Sequence, residues 1–412
     1  MGLFVILLFG SFILPILPNM EENPTTIIID SGDEISQDID GWDQLNDAQK
    51  KTMVDWSRMG DSQKTDVNSI SSTSLLNCGN ETGGWSTVHC GVEIWGLEFD
   101  SIGNLYFTGT YRTSAKFDEI ILVGDNWNIF VAKLDVTGSW VWITDAGSED
   151  VVDSSGLTVD SNGSVYIGGQ YSGDITMGDT TLTVNGTHHQ SNENLFPYPY
   201  GYHGFVSKLD NNGSWLWTKN ISGDSITYVT TIALDYNEDL LISFAGCGYA
   251  YMDDISLLIT PNDYDSGHHS SEPCSPDTTI AKLNSNGEWL WVSTSTSDEY
   301  YFTFDIHVDN NNNAYLVGMF QGFRIDFGNE TSWNLGLSDG AIFVAKLDSN
   351  GTWLWAESAY GVYSSCELHF DWELASDIDS DGDVVITGGS TCHTGLSFGS
   401  HLVSSEYEQD VF

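Results

Sequence analysis

The stretch "KLDSNGTWLWAES", from Lys346 to Ser358, occurs in four versions along this chain of 412 residues. The other versions are "KLDVTGSWVWITD" from Lys133, "KLDNNGSWLWTKN" from Lys208 and "KLNSNGEWLWVST" from Lys282. Successive versions start 75, 74 and 64 residues apart. A sequence that resembles itself at a nearly constant interval is typical of a repeat protein, in which each copy forms one structural unit.

A second motif alternates with the first. It reads "DSNGSVYIGG" from Asp160, and related stretches begin at Asp100, Asp235, Asp309 and Asp379. In both motifs, apolar and polar residues alternate on either side of a short turn that usually holds Asn-Gly or Asp-Gly. This pattern predicts a β-hairpin. One copy of each motif makes a repeat, so each repeat contains two hairpins and therefore four strands.

About five such repeats are visible between residues 76 and 412. Four-stranded units of this length, repeated in tandem, are the blades of a β-propeller. An array of β-sandwiches is the alternative, but a sandwich needs about seven strands in each unit. The sequence therefore predicts an all-β protein, a β-propeller of four-stranded blades whose visible repeats form an incomplete ring.

Each copy of the first motif contains two tryptophans separated by one residue, such as Trp353 and Trp355. Because side chains alternate along a strand, this spacing predicts that both indoles point to one face, toward the next blade. Each indole buries a large apolar area there. We therefore expect the first tryptophan of every copy to be buried at an equivalent contact between blades: Trp140, Trp215, Trp289 and Trp353.

The lysine of the first motif stands out because basic residues are rare, with 12 Lys and Arg against 59 Asp and Glu. Yet Lys133, Lys208, Lys282 and Lys346 occupy one repeated position. We expect each ammonium group to bridge carboxylates of its own blade or of a neighbouring blade, with its stem along the tryptophan face. The alternative is a ring of lysines that faces a central channel.

The overall charge excludes one class of partner. A formal net charge of -47 at pH 7 argues against binding of DNA or RNA, whose phosphates need cationic partners. It suits an acidic, self-repelling surface in a salty medium, or one that gathers cations. With 40% hydrophobic and 13% aromatic residues, the chain still has enough apolar side chains for large cores.

The N-terminal region predicts export. Within residues 1–18, the apolar run from Leu3 to Leu17 fits the hydrophobic part of a signal peptide, although no basic residue precedes it. An uncleaved membrane anchor is the alternative, and we expect no other membrane span. Residues 19–75 are polar and acidic and are predicted to be a mostly disordered linker. The protein is thus expected to be secreted or at a cell surface.

Six cysteines form three pairs that are local in the sequence. In an exported chain, an even number of cysteines at such spacings predicts disulfide bonds. We expect the pairs Cys78–Cys90, Cys247–Cys274 and Cys366–Cys392.

The last residues continue the pattern of the repeats. Val411 and Phe412 match Ile129–Phe130 and Ile342–Phe343, which are followed by Val-Ala-Lys-Leu-Asp. We therefore expect the sequence to stop inside a strand and to be a fragment of a longer protein, with five as a lower bound on its blades. Alternatively, the stretch around Trp85 completes the last blade and closes the ring.

The two motifs together resemble the SBBP-type β-propeller repeat family of exported bacterial and archaeal proteins. "FVAKLD" stands complete at Phe130–Asp135 and Phe343–Asp348, and it is altered to "FVSKLD" at Phe205–Asp210 and to "TIAKLN" at Thr279–Asn284. The resemblance covers roughly residues 76–412. It implies a propeller fold and export, and a scaffold role in large surface proteins, but no particular activity.

Two groups of residues are candidate metal ligands. Asp377, Asp379 and Asp381 begin "DIDSDGD" like a calcium loop, but the twelfth position is Gly388 instead of the usual Glu. An acidic hairpin turn is the alternative interpretation. Four histidines in two long insertions form a second candidate, for a transition metal, against the simpler interpretation of exposed polar loops: His188, His189, His268 and His269.

The first functional hypothesis is a non-catalytic scaffold for recognition, adhesion or assembly, with a protein or polysaccharide of the cell surface as partner. No cofactor is expected apart from calcium. The second hypothesis is a hydrolase or lyase that acts on polysaccharide in the central channel. An enzyme needs two or three titratable groups with displaced pKa values in one pocket, whereas a scaffold needs none. The sequence by itself indicates no catalytic residue.

Overall fold

The computed structural model describes a chain of strands, with no helix among the described residues. Nearly all of these residues belong to one compact unit, Val92–Phe412. The all-β class predicted from the sequence is confirmed. The described residues are 90–118, 120–148, 150–184, 202–224, 226–246, 248–259, 277–297, 301–320, 322–333, 341–361, 375–379, 382–387, 389–390, 396–398, 401–403 and 410–411.

The first two repeats each contain a four-stranded antiparallel sheet, whose strands we name A to D in chain order. In the first repeat they are β1 (Cys90–Phe99), β2 (Leu105–Phe117), β3 (Ile120–Leu134) and β4 (Trp140–Gly147). The second repeat adds an outer hairpin, β7–β8, between strands B and C. Its strands are β5 (Val152–Val159), β6 (Val165–Tyr171), β7 (Ile175–Met177), β8 (Thr180–Leu182), β9 (His203–Leu209) and β10 (Trp215–Gly223).

The third and fourth repeats have the same plan, including an outer hairpin. The third consists of β11 (Thr227–Leu234), β12 (Leu240–Gly246), β13 (Gly248–Met252), β14 (Ile255–Ile259), β15 (Asp277–Leu283), β16 (Trp289–Thr294) and β17 (Thr296–Ser297). The fourth consists of β18 (Tyr301–Val308), β19 (Ala314–Phe320), β20 (Arg324–Phe327), β21 (Glu330–Trp333), β22 (Ala341–Leu347) and β23 (Trp353–Gly361).

The structure describes part of the fifth repeat, namely strands A and B, an outer hairpin and a short piece of strand C. Its strands are β24 (Ala375–Ile378), β25 (Val384–Thr387), β26 (Gly389–Ser390), β27 (Leu396–Phe398), β28 (His401–Val403) and β29 (Asp410–Val411). Strand A pairs with strand B, and β26 pairs with β29.

The repeated turns share one structure, which follows from their first residue. In the turn at Asp160, the N–H of Asp160 donates to the C=O of Ser164, and the N–H of Gly163 donates back to the C=O of Asp160. The Asp160 carboxylate accepts the N–H groups of Asn162 and Ser164. The fourth residue takes a positive φ, 78° at Gly163. The turn is thus a three-residue loop closed by a left-handed residue.

A β-bulge in strand D corrects the prediction for the tryptophans. Trp215 lies opposite Leu209 and Trp217 lies opposite Lys208, so Leu216 is an extra residue without a partner across the ladder. One extra residue reverses the alternation of faces. The paired tryptophans therefore point to opposite faces of the sheet. Trp215 packs in the core between the first and second repeats, whereas Trp217 packs in the core between the second and third.

Neighbouring repeats are joined through their backbones as well as their cores. The outer hairpin of one repeat pairs with strand D of the repeat before it. In the third repeat, for example, Ala250 of β13 lies opposite Gly223 of β10. The corresponding contacts of the other repeats are Ile175 with Ser148, Ile325 with Ser297, and Leu396 with Gly361.

The altered motif of the third repeat has a structural compensation. In the second repeat, Phe205 lies across the ladder from Gly169, where a Cβ atom would come within 2.7 Å of the ring. In the third repeat, Thr279 replaces this phenylalanine, and Phe244 stands opposite it in place of the glycine. The aromatic ring has thus moved from strand C to strand B, which keeps the core filled.

Candidate functional site

The repeated lysine binds the turn aspartate of its own repeat. Lys282 Nζ lies 2.6 Å from Asp235 Oδ2, and the lysine and aspartate side chains are 6% and 1% exposed. The corresponding distances are 3.4 Å for Lys208 to Asp160 and 3.1 Å for Lys346 to Asp309. The predicted ion pair is therefore confirmed in three repeats, always within one repeat.

In the first repeat the lysine makes a different contact, because Lys133 Nζ lies 4.7 Å from the centre of the Tyr106 ring. The contacts of these lysines favour the ion pair over the alternative of a lysine ring that faces a channel. The four lysines stand on strand C, inside the sheet, and two of them, Lys208 and Lys282, are buried there.

A tyrosine on strand B completes the lysine site. Tyr166 Oη lies 2.6 Å from Lys208 Nζ, and Tyr315 Oη is hydrogen-bonded to Lys346. The third repeat has Leu241 at this position, and the carboxylate of Asp239 takes over, 3.2 Å from Lys282 Nζ. Lysine, aspartate and a third polar group thus form a buried structural cluster that ties strands B and C to the turn.

We expect this cluster to make stability depend on pH through Asp309. Burial acts to raise the pKa of Asp309, but hydrogen bonds from Asn313 and Lys346 outweigh it and lower the pKa to about 2. A carboxyl group with a lowered folded-state pKa stabilises the fold above its unfolded-state pKa, near 4. Asp309 therefore contributes about 2 kcal/mol at neutral pH, and this is lost as the pH falls from about 4 to 2.

The measurement is denaturant unfolding of the full chain and of Asp309→Asn at pH 6 and at pH 2. We expect the variant to be less stable by about 2 kcal/mol at pH 6 and nearly equal to the parent at pH 2. Asparagine is a fitting replacement, because Asn284 begins a turn with the same hydrogen bonds between strands C and D of the third repeat. A difference in stability that stays constant with pH would contradict the prediction.

In the first three repeats, the second tryptophan of the pair connects one repeat to the next. Its indole N–H donates to a backbone carbonyl in the C–D turn of the following repeat. Trp217 donates to Ser285 at 3.2 Å and Trp291 donates to Ser349 at 3.0 Å. Trp142 donates to Asn211 at 3.0 Å. The first tryptophans, expected to be buried at such contacts, are half-buried in the cores.

A cavity of about 480 Å³ opens where the A strands of the repeats end. It is lined from all five repeats by residues that directly precede or begin the turns between strands A and B. The lining residues are Glu98, Leu157, Thr158, Val159, Ile232, Ala233, Leu234, Asp235, Tyr236, Ile306, His307, Val308 and Ile378. Its volume lies in the range of small-molecule binding sites.

The A strands also bring main-chain groups to this cavity. Each A strand, β1, β5, β11, β18 or β24, is the terminal strand of its sheet. The N–H and C=O groups on the outer side of such an edge strand make no hydrogen bond to another strand of the same sheet. The cavity therefore combines a hydrogen-bonding backbone with a small set of polar side chains.

Glu98 is the carboxyl group of the first repeat in this cavity. Burial raises its pKa to about 7, although hydrogen bonds from the Thr158 hydroxyl and the Val159 N–H act to lower it. No cationic group contributes to this shift, and no lysine or arginine is among the described residues that line the cavity. The carboxyl group thus changes its charge near neutral pH.

His307 of the fourth repeat lies in the same cavity and is held by two hydrogen-bonding partners. Its Nε2 lies 2.8 Å from Ser376 Oγ and 3.1 Å from Asp305 Oδ2. Ser376 Oγ in turn donates to Asp305 Oδ2 at 3.0 Å. Burial acts to lower the pKa of His307, but the hydrogen bond to Asp305 and the charges of Asp305 and Asp377 outweigh it and raise the pKa.

This triangle is not the arrangement of a serine nucleophile. Ser376 gives its proton to the Asp305 carboxylate rather than to the imidazole, and the same Nε2 contacts both partners. A nucleophile instead gives its proton to the imidazole, which a third group holds at its other nitrogen. The contacts fix the imidazole and support a positive charge on it.

Sequence analysis missed Glu98 and His307, yet the repeats contain a signal for them. Both residues stand two positions before the turn aspartate of their repeat, where the other repeats have Thr158, Ala233 and Asp377. This position changes its polarity from repeat to repeat, whereas the neighbouring positions stay mostly apolar. An alignment of the repeats with one another would have shown that the polarity of the side chain varies most at this position.

Of the predicted metal ligands that the structure describes, Asp377 and Asp379, neither lines this cavity. Asp379 begins a hairpin turn and accepts the N–H of Asp383, while Asp377 accepts the N–H of Ile378. Asp381 and the four histidines, His188, His189, His268 and His269, lie outside the described residues. No group of three His, Cys, Asp or Glu side chains suited to a metal ion occurs in the part of the chain that the structure describes. Calcium binding stays a prediction.

The disulfide prediction is also untested. Cys78, Cys247, Cys274, Cys366 and Cys392 lie outside the described residues, and Cys90 is described only as the first residue of β1. Among the described ranges, no helix is long and apolar enough to cross a membrane.

Comparison with known proteins shows only distant likenesses. No family model matches the chain. An uncharacterized WD repeat-containing protein of Acanthamoeba polyphaga mimivirus is 22% identical over 259 residues, which cover 60% of this chain. The match spans only 18% of the length of that relative.

Solved structures give low similarity scores. A protein of unknown function from Dyadobacter fermentans has a TM-score of 0.39 at 12% identity, over 72% of this chain and 75% of that one. The NanB sialidase of Streptococcus pneumoniae has a TM-score of 0.39 at 11% identity, over 80% and 60%. Virginiamycin B lyase of Staphylococcus aureus has a TM-score of 0.30 at 10% identity, over 73% and 87%. Such scores support no inference about a site or an activity.

Proposed function

We propose that this chain forms an exported β-propeller that serves as a recognition, adhesion or assembly scaffold at a cell surface. In this proposal it binds a polar ligand in the cavity at the ends of the A strands. The observation that carries the proposal is the convergence of all five repeats on one cavity that contains Glu98, Thr158 and His307. Repeat proteins bind their partners at concave surfaces to which several successive repeats contribute.

The propeller architecture is supported by the four-stranded repeats and by the distant WD-repeat relative, since WD repeats form propeller blades. Export is supported by the apolar run from Leu3 to Leu17 and by the strongly acidic composition.

A second candidate function is a hydrolase or lyase that acts on polysaccharide. It is favoured by one specific observation, since Glu98 and His307 line the same cavity and both have raised pKa values. Two titratable groups of this kind are what acid–base catalysis requires. A scaffold has no need of them, but a binding site uses the same groups to recognise a charged ligand.

The binding proposal is tested by a thermal-shift screen of the full chain against small polar molecules, namely sugars, organic acids and amines. A ligand that binds only the folded state raises the melting temperature. We expect at least one compound to stabilise the parent protein and to lose at least about tenfold in affinity with the double variant Tyr236→Ala/His307→Ala. Tyr236 is 65% exposed at the cavity, so its truncation leaves the cores intact.

Phe323→Ala is the matched control, because this aromatic side chain is 71% exposed and does not line the cavity. If no compound binds, or if the double variant binds as well as the control, the cavity is not the ligand site. Release of reducing or unsaturated sugar ends from polysaccharides by the parent, but not by His307→Ala, would establish the enzyme instead.

A further inference from the structure

We propose that the cavity at the ends of the A strands binds the primary ammonium group of a small organic molecule, with Glu98 as its counter-ion. This inference rests on the proposed binding function and names the chemical class of its ligand. The ammonium group donates hydrogen bonds to the Glu98 carboxylate and to backbone carbonyls of the edge strands.

The charge of the cavity supports a cationic ligand. Among the described residues that line it there is no lysine or arginine. The carboxylate of Asp235 is already paired with Lys282 at 2.6 Å, so it has its own positive partner. His307 is likewise held by Asp305 at 3.1 Å. Glu98 is therefore the lining carboxyl group whose charge the neighbouring side chains leave uncompensated.

The hydrogen-bonding groups of the cavity also suit an ammonium ion. Such an ion has three donors and no acceptor. The carboxylate of Glu98 is an acceptor, and so are the carbonyl groups on the outer edges of β1, β5 and β11, with which no strand of the same sheet pairs. A carboxylate or phosphate ligand would be repelled by the negative charge of Glu98 and would find acceptors where it needs donors. A neutral ligand would leave the charge of the buried carboxylate uncompensated.

The apolar part of the lining suits the carbon chain that carries the ammonium group. Val159, Leu234, Val308 and Ile378 stand one position before a turn aspartate in their repeats, and all four line the cavity. All four are half-buried, and Val159, Leu234 and Val308 also pack against the cores between repeats. Methylene groups of a ligand would cover them and gain burial of apolar area.

The proposal has a definite pH dependence. The titratable groups that face the cavity are Glu98, Asp235, Tyr236 and His307, and Asp305 and Asp377 adjoin His307. Since Glu98 must lose its proton to pair with a cation, binding strengthens as the pH rises through about 7. As the pH rises, His307 also loses its positive charge, and this loss further strengthens the binding of a cation. A change from pH 8 to pH 6 should weaken binding about tenfold.

The test is calorimetric titration of the full chain with 1,4-diaminobutane and with 1,4-butanediol at constant ionic strength. The two probes have the same carbon chain, and hydroxyl groups replace the ammonium groups in the second. We expect the diamine to bind at pH 8 and the diol to bind at least about tenfold more weakly. At pH 6.5, binding of the diamine should release protons, detected as a dependence of the heat on the ionisation enthalpy of the buffer.

Two variants give the test its specificity. Glu98→Gln keeps the acceptor for Thr158 but removes the charge, so it should lower the affinity for the diamine at least about tenfold and abolish the proton release. Glu357→Gln removes an exposed carboxylate from strand D of the fourth repeat, outside the cavity, and should leave both unchanged. If the acidic surface as a whole attracted the diamine, the two variants would lower its affinity equally. A specific site at Glu98 predicts a loss only for Glu98→Gln.

Equal binding of the diamine and the diol, or equal effects of the two variants, would overturn the proposal. So would absence of diamine binding at pH 8. If the screen then shows that a sugar or an organic acid binds in the cavity, the recognition function stands and only the ammonium ligand is wrong. If no compound binds there, the recognition function fails as well.

Discussion

Replacement of Lys282 by methionine will lower the free energy of unfolding by about 3–5 kcal/mol, because it removes one partner of a buried ion pair. Lys282 Nζ lies 2.6 Å from Asp235 and 3.2 Å from Asp239, and the Asp235 side chain is only 1% exposed. Methionine fills a similar volume, so the loss comes from the carboxylates that remain without a positive charge. The measurement is denaturant unfolding of the full chain at pH 7.

Lys219→Met is the matched control for this variant. Lys219 Nζ also lies 2.7 Å from a carboxylate, that of Asp253, but the two side chains are 24% and 50% exposed. Exposed pairs of this kind contribute about 1 kcal/mol or less. Equal losses of stability in the two variants would show that burial of the Lys282 pair has no special effect.

A double variant distinguishes charge from packing. Asp235→Asn in the Lys282→Met background removes the more deeply buried of the two unpaired charges and retains a side-chain oxygen for the turn, as Asn284 does. We therefore expect it to recover part of the lost stability. A double variant that is less stable than Lys282→Met alone would mean that the methionine disturbs the core, and that the ion pair is not the cause.

Truncation of Trp353 to alanine will lower the free energy of unfolding by about 3–5 kcal/mol, as for other large aromatic truncations. The Trp353 ring lies 4.7 Å from that of Phe327, and its indole N–H donates to the carbonyl of Thr294 at 3.2 Å. The variant thus loses packing on the outer hairpin of its own repeat and a hydrogen bond to the preceding repeat. Thermal and denaturant unfolding measure the loss.

Leu354→Ala is the control in the same strand. Leu354 is the extra residue of the β-bulge, and its side chain is 44% exposed. Its truncation should change stability by about 0.5 kcal/mol or less, as for most surface positions. A larger loss for Leu354 than for Trp353 would show that the assignment of the two side chains to surface and core is wrong.

Local chemistry in the sequence was enough for the repeat and its turns. A turn aspartate followed by glycine three positions later caps its own loop, so "DSNG" at Asp160 specifies a hairpin without help from distant residues. The recurrence of such turns with alternating apolar residues then indicated four strands in each repeat. The rarity of lysine indicated ion pairs at Lys208, Lys282 and Lys346, because an isolated buried charge is too costly to keep.

The tertiary structure alone decided where the tryptophans point and which residues meet. A β-bulge is one extra residue in a ladder, and its position depends on the partner strand, so the spacing of Trp215 and Trp217 could not reveal their opposite faces. Glu98 and His307 are 209 positions apart in the sequence and line the same cavity only because the repeats bring their A strands together. That convergence depends on the rotation between successive sheets, which arises from packing between repeats and is not contained in any one of them.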